Sequence, residues 1–91
     1  MTNNNDDPAL TTLLDSGRTL SQCVHTAMDT FFIHLDGQPA NELYNMVMNE
    51  VEGALLTEVM RHTRDNQSKA SEILGLNRGT LRKKLKQHDL L

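Results

Sequence analysis

The sequence predicts an all-α fold of four helices joined by short turns. Two observations support this prediction. Apolar residues recur every three or four positions along most of the chain after residue 20, and Asn, Gly and Pro lie where such segments begin or end. The chain has 91 residues, of which 37% are hydrophobic and 3% aromatic. Because a chain this short buries only about 60% of its unfolded surface, we expect one small domain that oligomerisation stabilises.

Residues 1–19 are expected to form a flexible N-terminal arm. They are polar and are interrupted by Pro8 and Gly17, and their few leucines are too isolated to form a core. No basic residue precedes Arg18, and no apolar run in the chain exceeds three residues. The sequence therefore predicts neither a secretory signal nor a membrane-spanning helix, and we expect a cytoplasmic protein.

Residues 20–64 are predicted to form two dimerisation helices. The first runs from about Ser21 to Leu35 with its apolar side chains on one face, and residues 36–39 end it with a Gly-Pro turn. The second is predicted to be capped by Asn41 and to cover residues 42–64. Its apolar stripe is too long and broad for the short remaining helices to cover, so we expect a second copy of the chain, in a homodimer.

The predicted dimer contacts are apolar residues that include one row of the long helix, and they are Val47, Val51, Leu55, Val59 and Phe31. The alternative left open is a three-helix wrap within one subunit that leaves some methionines exposed. Gly53 lies in the middle of the long helix, where it costs about 1 kcal/mol relative to Ala. A bend or a close helix contact is therefore expected at Gly53.

Residues 65–91 are predicted to form a helix-turn-helix. Asn66 can cap a helix over residues 67–74 that Gly75 ends, and Asn77 can cap a second helix over residues 78–87. The intervening turn contains one Gly, which tolerates positive φ, and the small Ser71 four positions earlier lets the two helices approach. The side chains predicted to face inward are Ala70, Ile73, Leu74, Leu76, Leu81 and Leu85.

Charge is distributed unevenly along the chain. The net charge is −3, but residues 1–60 contain one base and nine acids, whereas residues 61–91 contain eight bases and three acids. Five of these bases and no acid lie within residues 78–86. A helix with cations along its outer face fits the major groove of DNA, so double-stranded DNA is the predicted partner. The alternative is a dimeric helical adaptor that binds an acidic protein through the same basic segment.

We predict that the protein is not an enzyme and binds no metal, cofactor or small molecule. Cys23 and His25 are two residues apart, so on a helix they point in different directions and cannot share an ion. His62 and His88 are interpreted as ordinary surface histidines. The sequence also lacks the arrangement of nucleophile, base and oxyanion site that covalent catalysis requires.

Residues 66–70 (Asn-Gln-Ser-Lys-Ala) and 75–86 (Gly-Leu-Asn-Arg-Gly-Thr-Leu-Arg-Lys-Lys-Leu-Lys) closely resemble the C-terminus of the Fis family, the bacterial nucleoid-associated factors for inversion stimulation. The resemblance continues through residues 36–38, 41–44 and 50–52 and covers roughly residues 20–91. The same motif occurs in the C-terminal DNA-binding modules of NtrC-type activators, which is the alternative assignment. Because no ATPase module precedes the motif in this sequence, we expect a free-standing Fis-like protein.

The resemblance implies an intertwined all-α homodimer that binds and bends DNA. In the family, the two recognition helices are closer than one turn of straight B-DNA, so the minor groove between them narrows and the duplex bends. This implies a global transcriptional regulator, activating or repressing from degenerate A/T-centred sites in the bacterial nucleoid. Family members often contact RNA polymerase through the turn near Gly75 and Leu76.

The resemblance also implies which side chains contact the major groove. Arg78 is expected to contact a guanine edge, because its guanidinium fits O6 and N7. Asn77 and Lys83 are expected to face the groove, and Thr80 is expected to contact a phosphate or a base edge near the start of the helix.

A second group is implied to contact the DNA backbone. Asn66, Ser68 and Lys84 are expected to contact phosphates, aided by helix N-termini that attract anions, and Arg82 and Lys86 are expected to contact flanking DNA. The family's N-terminal hairpin, which contacts DNA invertases, has no motif match within residues 1–19, so recombinase stimulation is not implied.

Overall fold

The structure, a computed structural model, describes residues 17–91 of the chain. Its regular elements are four helices, which are α1 (Leu20–Leu35), α2 (Leu43–His62), α3 (Gln67–Leu74) and α4 (Arg78–Gln87). Residues 17–91 contain no strand, and the all-α prediction is confirmed. Most of the arm predicted for residues 1–19 lies outside the described residues.

The chain divides into two compact units, Met1–Ala40 and Asn41–Leu91. The first unit contains α1, and the second contains α2, α3 and α4. The functional division into an arm, dimerisation helices and a helix-turn-helix stays a prediction. Among the described helices, none combines the length and the hydropathy needed to cross a membrane.

α1 begins at a capping box. The Thr19 hydroxyl accepts a hydrogen bond from the backbone N–H of Gln22 at 3.0 Å, and the Gln22 side chain accepts one from the N–H of Thr19 at 2.8 Å. These two bonds satisfy N–H groups that the helix itself leaves unpaired, and they start α1 one residue earlier than predicted. The helix ends as predicted, because Asp36 and Gly37 adopt left-handed φ values of 51° and 81°.

α2 begins and ends differently from the prediction. The predicted Asn41 cap is wrong, because Glu42 occupies the N-cap position with φ 59° and ψ 29°. This left-handed residue turns the chain immediately before Leu43, which leaves Asn41 one position too early to cap. The helix ends at His62 rather than at residue 64. The Thr63 hydroxyl donates to the Val59 carbonyl at 2.9 Å, and the next two residues adopt left-handed φ values.

α2, α3 and α4 pack around one small core. Its buried side chains are Leu56 and Met60 of α2, Ala70 of α3, and Leu81 and Leu85 of α4, with Val59 and Leu74 packed against them. Leu56, Leu81 and Leu85 are at most 1% exposed. These residues lock the two helices of the predicted helix-turn-helix onto the C-terminal half of α2.

The inward-facing residues are predicted correctly except for Ile73. Ala70, Leu81 and Leu85 are buried and Leu74 and Leu76 are half-buried, whereas Ile73 is 53% exposed. The reason is helical geometry: at about 100° per residue, the stripe formed by Ala70, Ser71 and Leu74 is centred roughly 100° away from Ile73. Ser71 is buried within this stripe and donates its hydroxyl to the Gln67 carbonyl at 2.8 Å.

The close contact expected at Gly53 is present. A Cβ atom added to Gly53 would lie 3.1 Å from Nδ1 of His88, which follows the last residue of α4. The His88 side chain is only 12% exposed, and its Nε2 lies 2.9 Å from Oε1 of Glu52. The interpretation of His88 as an ordinary surface histidine is therefore wrong, because its ring fills the space that Gly53 leaves on α2.

Candidate nucleic-acid interface

The turn between α3 and α4 is held by the residues that the sequence singles out. The side-chain oxygen of Asn66 accepts from the N–H of Lys69 at 3.0 Å, and that of Asn77 accepts from the N–H of Thr80 at 2.8 Å. Gly75 ends α3 with φ 72°, and its N–H donates to the Ser71 carbonyl at 2.9 Å. Both predicted caps and the glycine turn are confirmed, so the start of α4 has a defined position relative to α3.

Exposed cations lie along α4, beside and opposite its buried leucines. Arg78, Arg82, Lys83 and Lys86 are exposed, while Leu81 and Leu85 are buried. Within residues 17–91 none of these four cations forms an ion pair. Their charge is therefore free to attract an anionic partner.

Arg82 makes a polar contact that links the two helices. Its Nη1 donates to Oε1 of Gln67, the first residue of α3, at 3.0 Å. The hydrogen bond joins residues 15 apart in sequence, and both side chains remain close to solvent. It aligns the guanidinium of Arg82 with the N-terminal end of α3.

The remaining candidate side chains lie at the two helix starts. Asn66 and Ser68 are exposed at the beginning of α3, and Asn77 is exposed at the beginning of α4. Thr80 is half-buried in the first turn of α4. Helix N-termini present unpaired N–H groups and partial positive charge, so these residues surround two positions that favour an anion. They lie at the starts of the two helices of the helix-turn-helix, and their DNA contacts stay predictions.

Lys84 differs from the other cations of α4 because it is paired. Its Nζ lies 2.7 Å from Oε2 of Glu52 on α2, and its side chain is 32% exposed. The other oxygen of the same carboxylate contacts His88, and Gln87 donates to Asn49 at 3.4 Å. Sequence reasoning missed these contacts, since Glu52 and Lys84 are 32 positions apart and no local spacing relates them.

The electrostatics of this cluster follow from its hydrogen bonds. The pKa of the Glu52 carboxyl is held below its ordinary value of 4.5, first by the hydrogen bond from Lys84 and then by the one from His88, with partial burial opposing them. Both partners stabilise the charged carboxylate. The carboxylate thus stays ionised at neutral pH and fastens the second half of α4 to α2.

The predicted dimer residues differ in how much surface they leave uncovered. Val51 and Leu55 of α2 are 37% and 50% exposed, whereas Val47 and Val59 are half-buried, and Val59 already packs against the core. Phe31 of α1 is half-buried beside Phe32, with ring centroids 5.5 Å apart. The row predicted on α2 therefore contributes partly to the core of its own chain.

Side chains of the types that bind metals are not clustered in the part of the chain that the structure describes. Residues 17–91 contain no group of three or more His, Cys, Asp and Glu side chains placed to hold an ion. Cys23 and His25 both lie on α1.

Two family models match the chain. The model for bacterial regulatory proteins of the Fis family covers residues 47–88, which include most of α2 and all of α3 and α4. The model for the N-terminal domain of the DNA-binding protein Fis covers residues 1–40. The second match extends the likeness to the N-terminal segment, where the motifs alone found none.

A relative in Pseudomonas aeruginosa, described as a Fis-like DNA-binding protein, is 60% identical over 82 residues. The similar region spans 90% of this chain and 79% of the relative. At this identity and coverage, and with the helix-turn-helix formed as the motif predicts, the chain belongs to the Fis family.

Proposed function

We propose that this protein binds and bends double-stranded DNA as a homodimer and acts as a nucleoid-associated transcriptional regulator. The observation on which the proposal rests is the outer face of α4. Arg78, Arg82, Lys83 and Lys86 are exposed there without ion-pair partners among residues 17–91, on a helix whose inner face is buried. A helix with one packed face and one cationic face suits the major groove.

Affinity and sequence preference would have separate origins. Lys83, Lys86 and Arg82 would neutralise phosphates or line the groove, which makes binding strongly dependent on salt. Arg78 is the first residue of α4, and its guanidinium can donate two hydrogen bonds to a guanine. Asn66, Ser68, Asn77 and Thr80 would add contacts near the two helix starts, where N–H groups favour phosphate.

Exposed apolar surface supports the homodimer. α1 has no buried residue, and Phe32 and Ile33 are 53% and 75% exposed. Leu55 and Val51 of α2 are also exposed. A small protein rarely leaves this much apolar surface in water, and a second copy of the chain is the partner that the resemblance implies.

Bending follows from pairing two recognition helices in one particle. If their separation is shorter than one turn of straight B-DNA, as in the family, both enter successive major grooves only when the duplex bends. Central A/T-rich sequences with a narrow minor groove would reduce the cost of that deformation. Residence in the bacterial nucleoid follows from such binding, and the exposed turn at Gly75 would be open to RNA polymerase.

The test is binding to a labelled duplex with an A/T-rich centre and a G·C pair near each end. Wild type is expected to lose affinity steeply with salt, with log K falling by about 0.9 per phosphate neutralised. Arg78→Ala is expected to weaken binding by about 1–3 kcal/mol and to remove discrimination at the G·C pair. Absence of measurable duplex affinity at low salt would refute the proposal and favour the protein-binding adaptor.

Lys86→Ala is the matched control for Arg78→Ala. Both substitutions remove one exposed cation from α4. Lys86→Ala is expected to weaken binding to all sequences alike and to reduce the salt slope by about 1, because it removes a phosphate contact rather than a base contact. Equal loss of sequence discrimination in the two variants would contradict the role assigned to Arg78.

A further inference from the structure

Glu52 is the acidic side chain of α2 that contacts α4 and the residue after it. Its Oε2 lies 2.7 Å from Nζ of Lys84, and its Oε1 lies 2.9 Å from Nε2 of His88. The Glu52 side chain is 27% exposed and that of His88 is 12% exposed. Both oxygens of one carboxylate therefore contact the C-terminal half of α4 and the residue that follows it.

The position of Lys84 on α4 separates it from the exposed cations. At about 100° per residue, Lys84 lies roughly 160° around the helix from both Lys86 and Arg82, each two positions away. It is on the flank that packs towards α2, whereas Arg82, Lys83 and Lys86 are exposed. A phosphate that reached Lys84 would have to share its ammonium with the Glu52 carboxylate at 2.7 Å, which repels a second anion.

We infer that Glu52 is a positioning residue for DNA binding, and that Lys84 acts as its partner inside the protein rather than as a phosphate contact. The inference rests on the proposed function, because it concerns how α4 is presented to DNA. It reassigns Lys84, which the resemblance places on a phosphate. Arg78, Arg82, Lys83 and Lys86 then supply the α4 charge that DNA neutralises.

Neighbouring contacts support the same role. Gly53 has no side chain, and the His88 ring occupies that space, with Nδ1 3.1 Å from where a Cβ would stand. Gln87 donates to Asn49 at 3.4 Å one turn earlier on α2. The lowered pKa of the Glu52 carboxyl has the Lys84 and His88 hydrogen bonds as its main causes. Five side chains thus help to set the orientation of α4 on α2 in addition to the buried leucines, and they are Asn49, Glu52, Lys84, Gln87 and His88.

The first experiment separates a phosphate contact from a positioning contact by the salt dependence of duplex binding. Removing a phosphate contact changes the slope of log K against log salt, whereas disturbing the orientation of α4 changes the affinity by the same factor at every salt concentration. Lys84→Met is expected to leave the slope unchanged and to weaken binding roughly two- to fivefold, the scale of a partly exposed ion pair. The comparison variant Lys86→Met is expected to reduce the slope by about 0.9.

A double-mutant cycle then tests the link to Glu52. Glu52→Gln is expected to weaken DNA binding without changing the slope. The double variant Glu52→Gln with Lys84→Met is expected to bind DNA no more weakly than Glu52→Gln alone, because either substitution by itself already removes the Glu52–Lys84 contact. Glu50→Gln is the control, since it removes the same charge from an exposed position on α2. It is expected to show no coupling to Lys84→Met. Circular dichroism would establish that each variant folds. If Glu52→Gln does not fold, the comparison of Lys84→Met with Lys86→Met still decides whether Lys84 contacts a phosphate.

The outcomes separate this inference from the proposed function. If wild type binds no duplex, the proposed function fails. If wild type binds and Lys84→Met reduces the slope by about 0.9, as Lys86→Met does, Lys84 is a phosphate contact and the inference is overturned. Independent, additive effects of Glu52→Gln and Lys84→Met would overturn it as well.

Discussion

The two units of the chain differ in how completely each buries its own apolar side chains. In the unit that contains α2, α3 and α4, Leu56, Leu81 and Leu85 are at most 1% exposed. In the other unit, α1 has no buried residue, and Ile33 is 75% exposed. One chain therefore suffices to build the helix-turn-helix, whereas α1 leaves large apolar side chains exposed.

The largest effect on stability is expected from a substitution in the buried core that α2, α3 and α4 form. Leu81→Ala is expected to cost about 2–5 kcal/mol of unfolding free energy, because it leaves a cavity in the core between α2 and α4. Urea unfolding followed by circular dichroism measures this cost. The control is Ile73→Ala, which removes a 53% exposed side chain and is expected to change stability by under about 0.5 kcal/mol. Equal costs for the two variants would show that the core is not where the structure places it.

The next effect concerns the uncovered surface. Leu55→Ala is expected to raise the dimer dissociation constant about tenfold or more, because Leu55 is 50% exposed, burying the exposed half of a leucine contributes about 1 kcal/mol, and each dimer would bury two. Sedimentation over a dilution series measures the change, with Ile73→Ala again as control. A wild-type protein that sediments as a monomer at micromolar concentration would remove the explanation given for the exposed faces of α1 and α2.

A smaller effect on stability is expected in the turn between α3 and α4. Gly75→Ala is expected to destabilise by about 1 kcal/mol, because φ is 72° there, although no atom lies within 4 Å of the added Cβ. Gly79→Ala, in α4 and without positive φ, is expected to be neutral or stabilising, because Ala has the higher helix propensity. Thermal unfolding of the two variants gives the comparison. Destabilisation of equal size at both positions would contradict the backbone explanation.

The smallest effect is the pH dependence that Glu52 contributes. Because its folded-state pKa lies below the ordinary 4.5, its contribution is present above pH 4.5 and is lost as the pH falls through the lowered value. The stability difference between wild type and Glu52→Gln, of about 1 kcal/mol or less, is therefore expected to shrink in that range. Urea titrations from pH 7 to pH 3 measure it, with Glu50→Gln as control. Parallel curves for wild type and Glu52→Gln would contradict the assignment.

Local features of the fold could be predicted from the sequence, whereas contacts between distant residues could not. The Asn66 and Asn77 caps and the Gly75 turn depend on neighbours within four positions, and all three are confirmed. The predicted Asn41 cap is wrong, because Glu42 adopts a left-handed conformation that cannot be predicted from its residue type.

The same distinction holds for the candidate site. The cationic run of α4 is visible in the sequence, and so is its likeness to the Fis family. The pairing of Lys84 and His88 with Glu52 is not visible, because it depends on how α4 crosses α2 and joins residues 32 and 36 positions apart. The sequence therefore identifies the cations but cannot separate those that face solvent from the one that is paired.

We propose that two copies of the chain present two α4 helices to one bent duplex. End-to-end energy transfer in a doubly labelled duplex with an A/T-rich centre tests it most directly, with protein added to known stoichiometry. Energy transfer is expected to rise and to saturate at two chains per duplex, and to rise less at equal occupancy for a G/C-rich centre. Saturated binding that leaves energy transfer at its free-DNA value, or saturation at one chain per duplex, would contradict it.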